Sequence, residues 1–327
     1  MNNLRKRRAN SETEVHEELK NPESQDGHRD RFTDKKLMAS MLPTFIIQAL
    51  HGLVYGMLLF FVASGFSLVF GMMGVLNIAH TGFYMVGAYV GYTVFAKTGN
   101  FWLALVIAPI VVGLLGALVE RFFLKKVHAF GHAYELLITL GIFFVIGEVV
   151  KWIWGNFTQP SRIPPALSGS VHITGLTYPD YRLFVLLISF AALFALLYIF
   201  MKTRVGIAIR AAVSDADMVN CLGINVSRLF LYVFSGGAAL AGLAGVVAGP
   251  FLSTHPAMGI DMLADLFVVV VVGGLGSLGG TFVASLMIGE LQSFGVLFIP
   301  QLALVFQFLL MAVVLMIRPA GLFGEKV

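Results

Sequence analysis

Charge is scarce in this sequence. Of 327 residues only 12% are Asp, Glu, Lys or Arg, while 58% are hydrophobic and the mean hydropathy is +0.86. Soluble domains carry roughly 25% charged residues, so a water-bathed globular chain is excluded. Cysteine is nearly absent too. Cys221 stands alone, which rules out an intramolecular disulfide and a thiolate metal site. The first 40 residues have no apolar stretch of signal-peptide type, so the first hydrophobic run is read as an uncleaved span. Also missing are a Ser/His/Asp set, an HExxH pair and any carboxylate pair in a catalytic context. The expectation is therefore a chain without catalytic residues, metal or bound cofactor, and not an enzyme.

The charge that exists is bunched. Residues 1–36 hold 9 of the 22 Lys/Arg and 8 of the 18 Asp/Glu. Residues 1–40, with Arg5-Lys6-Arg7-Arg8 followed by Glu12, Glu14, Glu17 and Glu18, lack a continuous apolar face and read as a disordered, charged cytoplasmic tail. The basic pI of 9.2 thus speaks for loop charges rather than for nucleic acid. Residues 41–327 read as one all-α, polytopic transmembrane helical bundle in the lipid bilayer.

A spanning helix needs about 20 mostly apolar residues. Segments 44–62, 64–78, 80–96, 101–123, 134–154, 183–201, 229–250, 261–274, 280–298 and 301–317 meet or approach that, giving about 8–10 membrane segments. Dividing 45–70 into two puts the basic tail, Arg121/Lys125/Lys126, Lys202/Arg204/Arg210 and Arg318/Lys326 on one side, as the positive-inside rule favours. Both termini are then expected in the cytoplasm and loop 155–182 outside.

Four features carry the functional expectation. The cytoplasmic loop 202–228 is too polar to span. Within it a helix over 210–222 would set Arg210, Ser214, Asp217 and Cys221 on one face and Ala211, Met218 and Leu222 on the other, with Gly223 ending it. Such an element could dock into a partner groove or lie on lipid. The run GGLGSLGG, with Gly273, Gly274, Gly276, Gly279 and Gly280, fits neither phosphate-binding spacing and reads as a tight turn. Asn77 and His80 sit between two spans, where His80 could relay a proton or touch substrate, and Asn77 and Thr81 could cap the next helix. Glu290 is the one acid well inside an apolar span, to be paired, protonated or pore-facing, whereas Asp261 and Asp265 read as helix-end charges.

Taken together, SGFSLVFGMMGVLNIAHTGFYMVGAY (64–89), RVGIAIRAAVSDADMVNCLGINV (204–226), VVVVGGLGSLGGTFVAS (269–285) and RPAGLFG (318–324) resemble, in order and spacing, the permease family of bacterial ABC importers for branched-chain amino acids, specifically its first-type permease subunit. The resemblance covers roughly residues 45 to 324. It implies an ABC importer permease fold in the bacterial inner membrane, and a translocation path shared with a second, related permease. Two cytoplasmic ATPase subunits, which use the ATP, and a periplasmic substrate-binding protein are implied as partners. It makes 204–226 the segment that docks on the ATPase, with Arg210, Asp215 and Gly223 at matching positions and Asp217 on the same polar face. Asn77, His80 and Glu290 become candidates for the path or its gate. Related permeases move urea, short amides or aromatic acids, so these are the alternative cargoes. A stand-alone channel or secondary transporter is the competing class. The chain departs from the family at Thr81, where Gly is common, at Val213, where Ala is frequent, and in its long tail.

Overall fold

The computed structural model describes residues 22–74, 76–173 and 176–324, with backbone alone at 22–41, 129, 173 and 176. Residues 1–21 of the expected disordered tail lie outside it, and 22–40 belong to the first helix. The chain divides into two units, Met1–Ile47 and Gln48–Val327, and the second holds the bundle.

Eleven helices order the described residues: α1 (Pro22–Met73), α2 (Ala79–Thr98), α3 (Phe101–Val119), α4 (His132–Trp154), α5 (Asp180–Lys202), α6 (Arg204–Ser214), α7 (Ala216–Cys221), α8 (Val226–Leu252), α9 (Met258–Gly273), α10 (Leu278–Phe298) and α11 (Ala303–Ile317). A π turn, Glu120–Leu124, and a last turn, Lys125–Val127, lengthen α3. Among the described residues, seven helices are long and apolar enough to cross a membrane. The two further apolar helices, α2 and α9, are shorter or more polar and bury most of their residues. This is an all-α polytopic bundle, in which helices satisfy the backbone hydrogen bonds that lipid cannot.

The expected division of the first hydrophobic stretch is overturned. From Leu42 to Met73 the helix is unbroken, and 83% of its most apolar window is buried. Gly65 within it is a packing surface, since a Cβ there would lie 2.7 Å from the Gly237 carbonyl oxygen of α8. The chain turns later, at Gly74, in the left-handed region at φ 67°. The path of the chain changes with it. Ser293 Oγ donates to the Gln48 carbonyl at 2.7 Å, and His51 packs on Tyr178 of the 155–179 loop. Gly71, at the other end of α1, meets Gly276. Gln48 and Arg318 therefore lie at opposite ends of the bundle.

Close approach of backbones holds the centre. A Cβ on Gly87 of α2 would come 2.2 Å from the Gly242 carbonyl oxygen, and one on Gly245 2.0 Å from that of Tyr84, so α2 and α8 touch backbone to backbone. By contrast only 17% of the apolar window of α5 is buried, leaving it a peripheral helix.

The loop after α4 holds a hairpin not foreseen from sequence, β1 (Ser170–Ile173) antiparallel to β2 (Leu176–Pro179) with Val171 opposite Tyr178. Gln159 N–H donates to the Thr254 carbonyl at 2.8 Å, which ties this loop to the turn between α8 and α9. This is the hairpin end of the molecule; the opposite end carries α6 and α7.

Candidate functional site: the α6–α7 end

The polar segment after α5 forms two helices rather than the single one expected over 210–222. Thr203 caps α6, its Oγ1 accepting from Gly206 N–H at 3.2 Å. Asp215 is extended at φ −157°, and its carboxylate accepts from Met218 N–H at 2.9 Å. A residue that caps the second helix must leave the first, so the break falls at Asp215. The expected ending holds. Gly223 has φ 84° and donates to Asn220 O at 3.0 Å, while Ile224 N–H reaches Val219 O at 3.2 Å, the paired bonds of a Schellman ending.

Val219, Ile209 and Ala212 are buried beneath these helices, whereas Val205, Ile207, Val213, Met218, Leu222 and Ile224 are exposed. Asp217 and Cys221 are exposed beside them. Arg210 is exposed, and its guanidinium donates to the Phe200 carbonyl at the end of α5, where cations complement the helix dipole. Arg210 and Val213 also line a cavity of ≈ 210 Å³ with Gly71, Met72, Phe200 and Gly276. This cavity separates α6 from the end of α1 and from the glycine turn.

That turn, expected at 273–280, lies between α9 and α10. Gly274 and Gly276 take φ 99° and 80°, and Ser277 caps α10 by accepting from Gly280 N–H at 3.1 Å. Glycine is needed here for space as well. Gly273 and Gly280 are in backbone contact, and a Cβ on Gly274 would meet Gly324 at 2.5 Å. The ending 318–324 is pinned to it, Leu322 N–H donating to Val272 O at 2.9 Å. Gly279 has open space around it and serves neither purpose.

The remaining predicted residues do not join this end. His80 is wholly buried in α2, its Nε2 3.1 Å from Val62 O and its ring edge-on to Phe66. Asn77 is also buried, but α2 starts at Ala79 and the Asn77 side chain does not cap it. Glu290 lies on α10 against Gly52, far along α1 from the glycine turn, and its Oε2 has no hydrogen-bond partner among the described residues.

Two groupings were missed. Asp265 is no helix-end charge: it lies in the middle of α9, 8% exposed, accepting from Tyr55 Oη at 2.5 Å and Gln307 Nε2 at 3.0 Å. Near the α6–α7 end, His128 sits between Glu135 Oε1 at 2.6 Å from Nδ1 and Glu120 Oε1 at 3.1 Å from Nε2. Burial lowers the pKa of His128, but the two carboxylates outweigh it and hold the group above its ordinary 6.5. The eight-residue spacing of Glu120 and His128 and the i, i+7 pair His128/Glu135 gave the only signal.

Comparison with known proteins places this arrangement. Residues 48–315 match the model of the family described as branched-chain amino acid transport system / permease component. The chain belongs to this family. It is 28% identical over 297 residues to the high-affinity branched-chain amino acid transport system permease protein BraD of Pseudomonas aeruginosa, covering 86% of this chain and 96% of that one. It is 27% identical over 309 residues to permease protein LivH of Escherichia coli, covering 88% and 98%. A second permease of that organism, LivM, is similar at 27% over 254 residues, covering 68% of this chain and 58% of LivM. The chain is thus a membrane-spanning permease component.

Proposed function

We infer that this permease forms half of the path of an ATP-driven importer of branched-chain amino acids in the bacterial inner membrane. One observation carries the reading: the α6–α7 end presents an apolar surface on two short helices whose inner side borders a cavity shared with the end of α1 and the glycine turn. That is the form of a docking element, and it favours a protein groove over lipid because Arg210, Asp215 and Asp217 stand in the same short segment. Two cytoplasmic ATPase subunits, which bind and hydrolyse the ATP, would seat there, and a periplasmic binding protein would deliver substrate at the hairpin end. Arg210, Asp215, Asp217 and Gly223 shape the coupling element, and no cofactor is assigned to this chain. Similarity to both LivH and LivM supports a second, related permease as the other half. In this orientation α6, α7 and Arg318 are cytoplasmic, and Gln48 enters from the outer side. His80 and Asn77 are proposed to stiffen the α1–α2 junction that gates the path, and Glu290 to border it.

The test is uptake by the reconstituted four-subunit assembly with its binding protein, using leucine, isoleucine, valine, urea, a short amide and an aromatic acid. ATP-dependent uptake of the branched-chain amino acids is the expected result. Preference for another substrate reassigns the cargo, and uptake by this chain without ATPase subunits overturns the importer reading in favour of a channel or secondary transporter.

A further inference from the structure

Two carboxylates lie on helices of the bundle interior. Asp265 on α9 and Glu290 on α10 are carboxylates, and among the described residues neither is ion-paired with Lys, Arg or His. An anion held there is costly, and such a group marks a function or a missing partner. Asp265 meets only neutral donors, the Tyr55 hydroxyl of α1 and the Gln307 amide of α11.

The Gln307 amide has a fixed sense, because its NH2 must face the carboxylate it donates to. Its Oε1 is then turned elsewhere, and this buried oxygen, in a residue only 1% exposed, has no hydrogen-bond partner among the described residues. The site therefore offers a carboxylate and a free amide oxygen, all acceptors. Its complement is a compact cation with several N–H donors. Asp261 lies one turn earlier on α9, toward the hairpin end and on the same face, with 66% of its side chain exposed and His255 Nε2 3.7 Å from its carboxylate.

We propose that Asp265, together with Gln307 Oε1, receives the α-ammonium group of the amino acid as it passes the permease, with Asp261 as its first contact. The inference rests on the importer reading above and adds to it the group on the substrate that is recognised.

The test uses the assembled transporter and dicyclohexylcarbodiimide, an apolar reagent for membrane-buried carboxyl groups, with modification of Asp265 followed by peptide mass spectrometry. The probes are L-leucine, 3-methylbutylamine, which keeps the ammonium alone, and 4-methylpentanoate, which keeps the carboxylate alone. Leucine and 3-methylbutylamine are expected to slow modification severalfold, and 4-methylpentanoate to leave it unchanged. Equal protection by all three, protection by none, or an Asp265 that never reacts overturns the proposal. In transport, Asp265→Asn is expected to lower leucine uptake roughly tenfold. Tyr55→Phe, which removes a hydrogen bond and leaves the charge, should retain most of it. Equal losses would make Asp265 a tie between helices and nothing more. Full uptake by Asp265→Asn sinks this inference and leaves the importer intact. Ammonium-selective protection in an assembly with no ATP-driven amino-acid uptake sinks the importer reading instead.

Discussion

His128, held between Glu120 and Glu135, is the residue whose charge state the fold sets most clearly. As an imidazolium it donates from both ring nitrogens to carboxylates that are each only 3% exposed. Its pKa is raised on folding, so its contribution to stability is fully present below the unfolded value and is lost as pH rises through the folded one. Thermal unfolding of the purified protein followed from pH 6 to pH 9 should show this loss, and His128→Gln should flatten it; an unchanged profile in the variant would count against the bridge. Glycines give a second test at this scale. A methyl on Gly245 would strike the Tyr84 backbone, whereas one on Gly141 meets nothing within 4 Å. Gly245→Ala is expected to cost about 3 kcal/mol, the upper end of over-packing penalties. Gly141→Ala should be neutral or stabilise by about 0.5 kcal/mol, as removal of an unneeded helix glycine does. Melting temperatures of the two variants in one detergent decide it.

Among elements, the α6–α7 pair concentrates the consequences. Its ending depends on Gly223 at φ 84°, where proline cannot follow because its φ is locked near −65° and it has no N–H to give Asn220. Gly223→Pro should abolish most substrate-stimulated ATP hydrolysis while the protein still inserts and purifies as a bundle. Gly223→Ala pays only the left-handed penalty of about 1–2 kcal/mol and should keep partial activity. Arg210→Ala frees the end of α5 from α6 and is expected to reduce uptake severalfold without loss of membrane insertion. Normal uptake in the proline variant would remove this segment from the coupling path. The stop at Gly223 was legible in the sequence because a terminator acts within one turn. The break at Asp215 was less so, since capping and continuing a helix compete, and the choice turned on the burial of Ile209, Ala212 and Val219 beneath both pieces.

For the whole molecule, side matters most. Cys221, exposed and the sole thiol, should react with an impermeant maleimide in inside-out vesicles and not in intact spheroplasts. Ser168→Cys, introduced with Cys221→Ser, should show the reverse, because Ser168 lies in the loop at the hairpin end. Labelling of both from one side would contradict the bundle's two ends. The sequence alone determined the membrane setting, most of the spans, the glycine turn at 273–280 and the polar, non-spanning character of 204–226. Each depends on local composition, and a run of about 20 apolar residues is helical in lipid whatever surrounds it. It could not determine that 44–73 is one helix, since the division rested on the balance of loop charges and the unbroken helix is held by contacts such as that of Gly65 with Gly237, distant in sequence. Nor could it show that Asp265 faces inward, because Tyr55 and Gln307 are brought to it from 210 and 42 residues away. The membrane setting was written in composition, whereas the direction of the first span and the buried carboxylate were decided only when helices distant in sequence packed together.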